Sequence, residues 1–388
     1  MLGHVLLVVP ALASAYLPEP PPMQGWAWAL SRTPLHLLWA GGEAVSVFFV
    51  LSGYVLWLQV SHADWRRWVA YYPQRLIRLY VPVFAAVVFA CALVVLVPRR
   101  GDPTFSGVIN GQAVPLALTD VLHSLTLLAG TNQLNPPLWS LRAEVLFSLL
   151  LPLYGLALRQ RWLPWWVSFA VLVATVEAGK IVGSFSLTYL PVFGLGVLMA
   201  HHRARIQLVA QDFGARAWTL IGLTAFCLLN AAWTPWTIGS PLIVTLDVPG
   251  AALLVLFFIH CPAAVRVGTS WVAQQLGRIS FSLYLLHEPV IVATALALHT
   301  NNVFHVGVIA VPAALAASVL FFLAVEAPTV VASRSVGKFV QRRLRADQTS
   351  RGQVSWSELV ADGVADASHR SRHLGDPSTP EGNTPLLG

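Results

Sequence analysis

The sequence predicts an all-α, polytopic membrane protein with about ten membrane-spanning helices and both termini on the cytoplasmic side. Three observations point there. Of the 388 residues, 56% are hydrophobic and only 11% are charged, with a mean hydropathy of +0.67. A soluble domain carries about a quarter charged residues. Apolar runs close to the roughly 20 residues that cross a bilayer recur along the chain. Arginines gather in short clusters between alternate runs, the asymmetry that marks cytoplasmic connections.

Ten runs stand out, at 2–17, 39–60, 79–98, 138–158, 162–179, 183–201, 216–233, 245–262, 279–299 and 306–326. The first begins at Met1 without the basic segment of a signal peptide, although ALASA resembles a cleavage site. This favours a start that falls inside a helix. Arg66, Arg67, Arg75 and Arg78 follow the second run, and Arg159 and Arg161 the fourth. Arg203, Arg205 and Arg216 flank the link after the sixth, and Arg266 and Arg278 the link after the eighth. Arg334, Lys338, Arg342, Arg343 and Arg345 follow the tenth. With ten spans all these segments share one side, and the other side keeps only Arg32, Arg99, Arg100 and Lys180. Tryptophans at run edges, such as Trp65, Trp165 and Trp166, read as an interfacial belt.

The link from Arg99 to Pro137 is the longest, and its stretch VPLALTDVLHSLTLLAG is too interrupted to span. Three regions follow from this pass. Residues 1–330 form the membrane domain, 331–345 a basic juxtamembrane segment suited to anionic lipid, and 346–388 a polar, disordered cytoplasmic tail.

The composition also excludes classes. The net charge of +7 sits in the clusters between apolar runs, so it does not read as a nucleic-acid signal. Cys91, Cys227 and Cys261 lie in or beside apolar runs without metal-ligand spacing, so neither a disulfide framework nor a metal site is expected.

Polar residues inside apolar runs are costly and default to functional hypotheses. They are His4, Glu43, Arg142, Glu144, Glu177, Asp247, His260, His287, Glu288 and Glu326. Most sit near a run end, where snorkelling to water is the simpler reading. Glu144 lies deeper, and Ser140, Glu144 and Ser148 share one helical face by their spacing of four. Trp139 and Arg142 share another face. Polarity alone leaves a site and an interhelical salt bridge equally open for Glu144. His4 reads as a packing histidine or, in a poorly solvated site, a general base for a hydroxyl. Arg75 and Arg78, three apart, read as topology charge or as a clamp for a phosphorylated donor. Ser280, Tyr284 and His287 share a broad face, and Pro289 is placed to kink that helix. Small residues in GGEAVSVFFVLSGYVLW, including Ser52 and Gly53, suit close helix packing.

VSVFFVLSGYVL, RLIRLYVP, NPPLWSLRAEVLFSLLLPLY, FGLGVLMA, LGRISFSLYLLHEPV and VEAP, taken together and in this order, resemble the membrane acyltransferase-3 family. The resemblance covers about residues 1–330. Its members O-acylate sugars, polysaccharides, peptidoglycan and secondary metabolites. The family usually opens with a charged segment before the first-span histidine, and here LGHVLLVVP supplies only the histidine. The resemblance implies His4 as catalytic base and Glu144 as an essential glutamate that orients it or holds the acceptor. It implies Arg75 and Arg78 as acyl-donor arginines, and Ser52 and Gly53 as part of the substrate motif. Trp139, Ser140, Arg142, Tyr284 and His287 fall in its substrate-binding segments, with Ser140 or Tyr284 placed to stabilise an oxyanion.

The implied reaction moves an acyl group, acetyl first, from acyl-CoA to a hydroxyl of a sugar, lipid-linked glycan or small metabolite. The enzyme would sit in the cell membrane as a multi-pass protein. Short outer loops favour a small acceptor. A transporter or flippase without chemistry is the alternative, although the internal repeats common in transporters are not visible.

Overall fold

The computed structural model describes residues 1–17, 20–61, 64–113, 115–127, 133–158, 163–234 and 245–346. Arg159, Arg161 and the tail from 347 lie outside the described residues. Among the described residues the regular structure is helical, with no strand.

The first apolar run does not form one helix. It divides into α1 (Leu2–Leu6), α2 (Pro10–Ala13) and a 3₁₀ turn over Ser14–Tyr16. Proline has no N–H to continue the ladder, so Pro10 ends one helix and opens the next at its first position, after extended Val9. The expected first span over 2–17 is therefore corrected to two short helices. Gly3 lies against the Trp39 carbonyl, and Val5 beside Gly307. α3 (Gly25–Arg32) and a 3₁₀ turn over Pro34–Leu38 complete the segment before α4 (Gly41–Val60).

α5 (Trp65–Leu96) is 32 residues long, about 48 Å at 1.5 Å per residue. It outreaches the apolar run at 79–98 because Asp64 caps it well before that run, accepting from the Arg67 N–H at 3.0 Å. Arg75 and Arg78 are therefore helical residues. The long link carries two short helices, α6 (Gly107–Gln112) and α7 (Leu118–Thr126). Then come α8 (Trp139–Leu158), α9 (Trp165–Val182), α10 (Phe185–His201), the short α11 (Arg203–Gln211) and α12 (Ala215–Asn230). α13 (Asp247–His260) meets α14 (Pro262–Gly268) at a bend of 83°, where Pro262 again starts a new helix after extended Cys261. α15 (Trp271–Ala297) and α16 (Val303–Phe321) close the bundle. α16 passes through a π turn at Phe322–Glu326 and runs on to Ala346. The basic segment at 331–345 is thus the continuation of the last helix.

Among the described residues seven helices are long and apolar enough to cross a membrane, or eight if α13 and α14 count as one broken span. α10 falls short at 17 residues. The difference from the expected ten lies in the broken first run, the bent pair and this short helix.

Two packing units meet on α8. On one side Phe147 and Leu151 join Phe49, Phe193 and Val197 of α4 and α10. α4 and α10 nearly touch: a Cβ on Gly53 would run into the Phe193 carbonyl, and one on Gly196 into the Val50 carbonyl. On the other side Leu141 and Val145 join Val83 and Ala86 of α5 with Leu285 and Leu286 of α15. α8 is therefore wrapped by protein on both flanks, which is why it can carry charges.

Candidate active site

His4 and Glu288 meet between α1 and α15. The Nδ1 atom of His4 lies directly against the Glu288 carboxylate. Glu288 is 2% exposed, and the other carboxylate oxygen accepts from Gln112 Nε2 at 2.7 Å. The His4 side chain keeps 30% of its surface open. With Nδ1 committed to the carboxylate, Nε2 is the nitrogen left to take a proton. His287 stands edge-on to His4, with ring centroids 4.8 Å apart. Its Nδ1 donates to the Leu283 and Tyr284 carbonyls, each at 2.9 Å, so its Nε2 is also an acceptor.

Glu144 makes a different pair. Buried at 2% exposure, it accepts from Ser52 Oγ at 2.6 Å and contacts the Arg75 guanidinium directly. Arg75 Nε donates to Ser148 Oγ at 3.2 Å. The expected stripe Ser140–Glu144–Ser148 is present on α8, but it faces Arg75 and Tyr284. The carboxylate beside His4 is that of Glu288, and Glu144, expected to orient His4 or to hold the acceptor, does not touch it. Arg142 turns away from Glu144 and lies over the Phe185 ring at 4.4 Å. Trp139 packs on Tyr189 at 4.9 Å, beside Phe185. Gly53 is buried at the crossing with α10, against the Phe193 backbone. Arg78 is exposed, one turn from Arg75.

The start of α8 is tied to α15. Ser140 Oγ and the Tyr284 hydroxyl lie 2.6 Å apart, and the same hydroxyl donates to the Pro137 carbonyl. Pro289 has no N–H for the carbonyl four residues back, that of Leu285. Asn135 supplies the missing donor: its Nδ2 reaches the Leu285 carbonyl at 2.9 Å. α15 thus stays one helix over Trp271–Ala297 across the proline. Arg99 staples the long link above, donating to the Gln112, Gln133 and Leu134 carbonyls at 3.0, 3.0 and 3.3 Å. Ser280, read on the face of Tyr284 and His287, is exposed and donates only to the Gly277 carbonyl.

Sequence reasoning missed Glu288, Gln112 and Asn135. Glu288 was visible as a charge in an apolar run, but snorkelling does not describe a carboxylate this buried. Asn135 had a legible signal in hindsight, a polar amide before a helix whose partner helix carries a proline. Gln112 had none, because nothing in GVINGQ distinguishes it from a loop glutamine.

The profile of the acyltransferase-3 family, described as an acyltransferase domain, matches residues 1–324. The chain belongs to the acyltransferase-3 family. It is also 29% identical over 296 residues to the acyltransferase MdmB of Streptomyces mycarofaciens, covering 66% of this chain and 70% of that protein. No solved structure matches it. Membership makes the chain an acyltransferase of membrane type, and the buried polar groups just described are its candidate catalytic centre.

Proposed function

We propose that this acyltransferase moves an acyl group, acetyl in the simplest case, from acyl-CoA to a hydroxyl of a small metabolite, a sugar or a lipid-linked glycan. The observation that carries the reading is the His4–Glu288 pair, backed by His287. A neutral imidazole held by a carboxylate is the arrangement a general base for a hydroxyl needs. His4 Nε2 takes the acceptor proton as the oxygen attacks the thioester carbonyl. The tetrahedral intermediate collapses with loss of the CoA thiolate, and the proton on His4 passes to that sulfur. Glu288 holds the ring and stabilises its charged form. The hydroxyls of Ser140 and Tyr284 are the candidates for steadying the oxyanion, which one of them does by turning from its present partner, Tyr284 or the Pro137 carbonyl.

Arg78, exposed at the arginine-rich end of the bundle, suits the phosphates of a cytoplasmic donor. Arg75 supports the same end by anchoring Glu144. The exposure of Arg78 at that end supports donor entry there, and the partly open side chain of His4 supports acceptor entry near it. This requires the arginine clusters to face the cytoplasm, as their distribution favours.

The experiment is acceptor-dependent release of CoA by purified protein, read with wild type and with His4 and Glu288 replaced separately. Loss of release with either variant, in protein that still elutes as a single species, supports the mechanism. Unchanged release with His4→Ala removes His4 from it. Transport of the acceptor without CoA release would favour the flippase alternative.

A further inference from the structure

His4, His287 and Glu288 each offer one ligand atom, and these three atoms lie within 4.8 Å of one another. The surroundings resemble those of a metal site. His287 is fixed by two backbone carbonyls on Nδ1, the outer-shell pattern that aims Nε2 at a metal. Glu288 is fixed by Gln112 on one oxygen and presents the other to His4. His287 and Glu288 are buried, and His4 closes the cluster from the less buried side.

We propose that His4, His287 and Glu288 form a binding site for a divalent transition-metal ion of the zinc type, and that its occupancy switches acyl transfer off. Two imidazoles and one carboxylate select zinc, cobalt, nickel or copper over magnesium or calcium, which prefer oxygen ligands. Tetrahedral zinc with bonds of about 2.0–2.1 Å needs its ligands about 3.4 Å apart. To admit the ion, the direct His4–Glu288 contact opens by side-chain rotation while the spacing to His287 closes, and a water completes the fourth position.

The inhibition follows from proton bookkeeping. A metal entering between His4 and Glu288 takes the Nδ1 lone pair, and the ring proton moves to Nε2. The nitrogen that would deprotonate the acceptor then carries a proton and has no free pair. This second half rests on the proposed role of His4; the binding itself does not.

The test is a cobalt titration of the purified full chain in detergent, read by the visible bands of bound Co²⁺. The expected result is saturation at one ion per chain, with binding weakened at least about 10-fold in both His287→Ala and Glu288→Gln. His4→Gln is the third variant, and elution as a single species confirms folding. Absence of the bands, or unchanged affinity in all three variants, overturns the site. In a parallel assay, zinc should inhibit acyl transfer and a chelator should restore it. Full activity with the site saturated overturns the inhibitory half alone. Failure of the acyltransferase reading itself would leave the cobalt result standing, so the two claims separate.

Discussion

His4 turns its Nδ1 to the carboxylate of Glu288, a residue on α15, while Glu144 on α8 holds Arg75. These two acid–base pairs have different tasks. One pairs a partly open imidazole with a carboxylate. The other pairs two groups that are both almost fully enclosed.

Replacing Glu288 by Gln removes the charge that aligns and supports His4. The expected loss in kcat is about 10²-fold or more, with a smaller change in KM. Steady-state kinetics of CoA release check this. A rise in KM with kcat unchanged would point to substrate binding instead.

The Arg75–Glu144 pair should behave as a structural anchor as well as a site element. Removing one partner strands a buried charge and costs about 3–5 kcal/mol. Arg75→Met is therefore expected to lower the melting temperature sharply. The double variant Arg75→Met with Glu144→Leu should recover much of that stability while staying inactive. Thermal unfolding in detergent of the single and double variants decides it.

Asn135 and Pro289 should be coupled. Asn135→Ala leaves the Leu285 carbonyl without its donor, at a cost of about 1–3 kcal/mol. In a Pro289→Ala background the helix supplies that donor itself, so the same change should cost markedly less. A double-mutant cycle on thermal stability measures the coupling. Additive effects would contradict the role assigned to Asn135.

Gly53 should tolerate no side chain. Gly53→Ala drives a Cβ into the Phe193 backbone, and overpacking of this kind costs about 1–3 kcal/mol. Gly42→Ala, on the same helix, meets nothing within 4 Å and should be neutral. Expression yield and melting temperature of the two variants make the comparison.

Much of the helix order was legible because apolar length alone announces a span. α4, α8, α9 and α15 answer to runs read from the sequence. α5 was read too short, since its first turns are polar and their helicity depends on the Asp64 cap. The first run failed because a proline in its middle outweighs its hydrophobicity. Within the site, the sequence singled out His4, Glu144, Arg75, Tyr284 and His287, and the fold places them in two groups, Arg75 with Glu144 and His4 with His287 and Tyr284. It could not pair them. Glu288 and His4 are brought together only by tertiary packing, and helical spacing carries no information about a partner on another helix. Arg142 was rightly separated from Glu144 by spacing, but its rest on the Phe185 ring depends on α10.

The account stands most directly on one measurement: the pH dependence of acceptor-dependent CoA release by wild type and by His4→Ala. For wild type the rate should rise from acid towards neutral pH, because only the unprotonated imidazole can accept the acceptor proton. His4→Ala should lose that acid limb along with about 10²–10⁴-fold in rate. A folded His4→Ala protein that keeps both the rate and the wild-type limb would contradict the account at its centre.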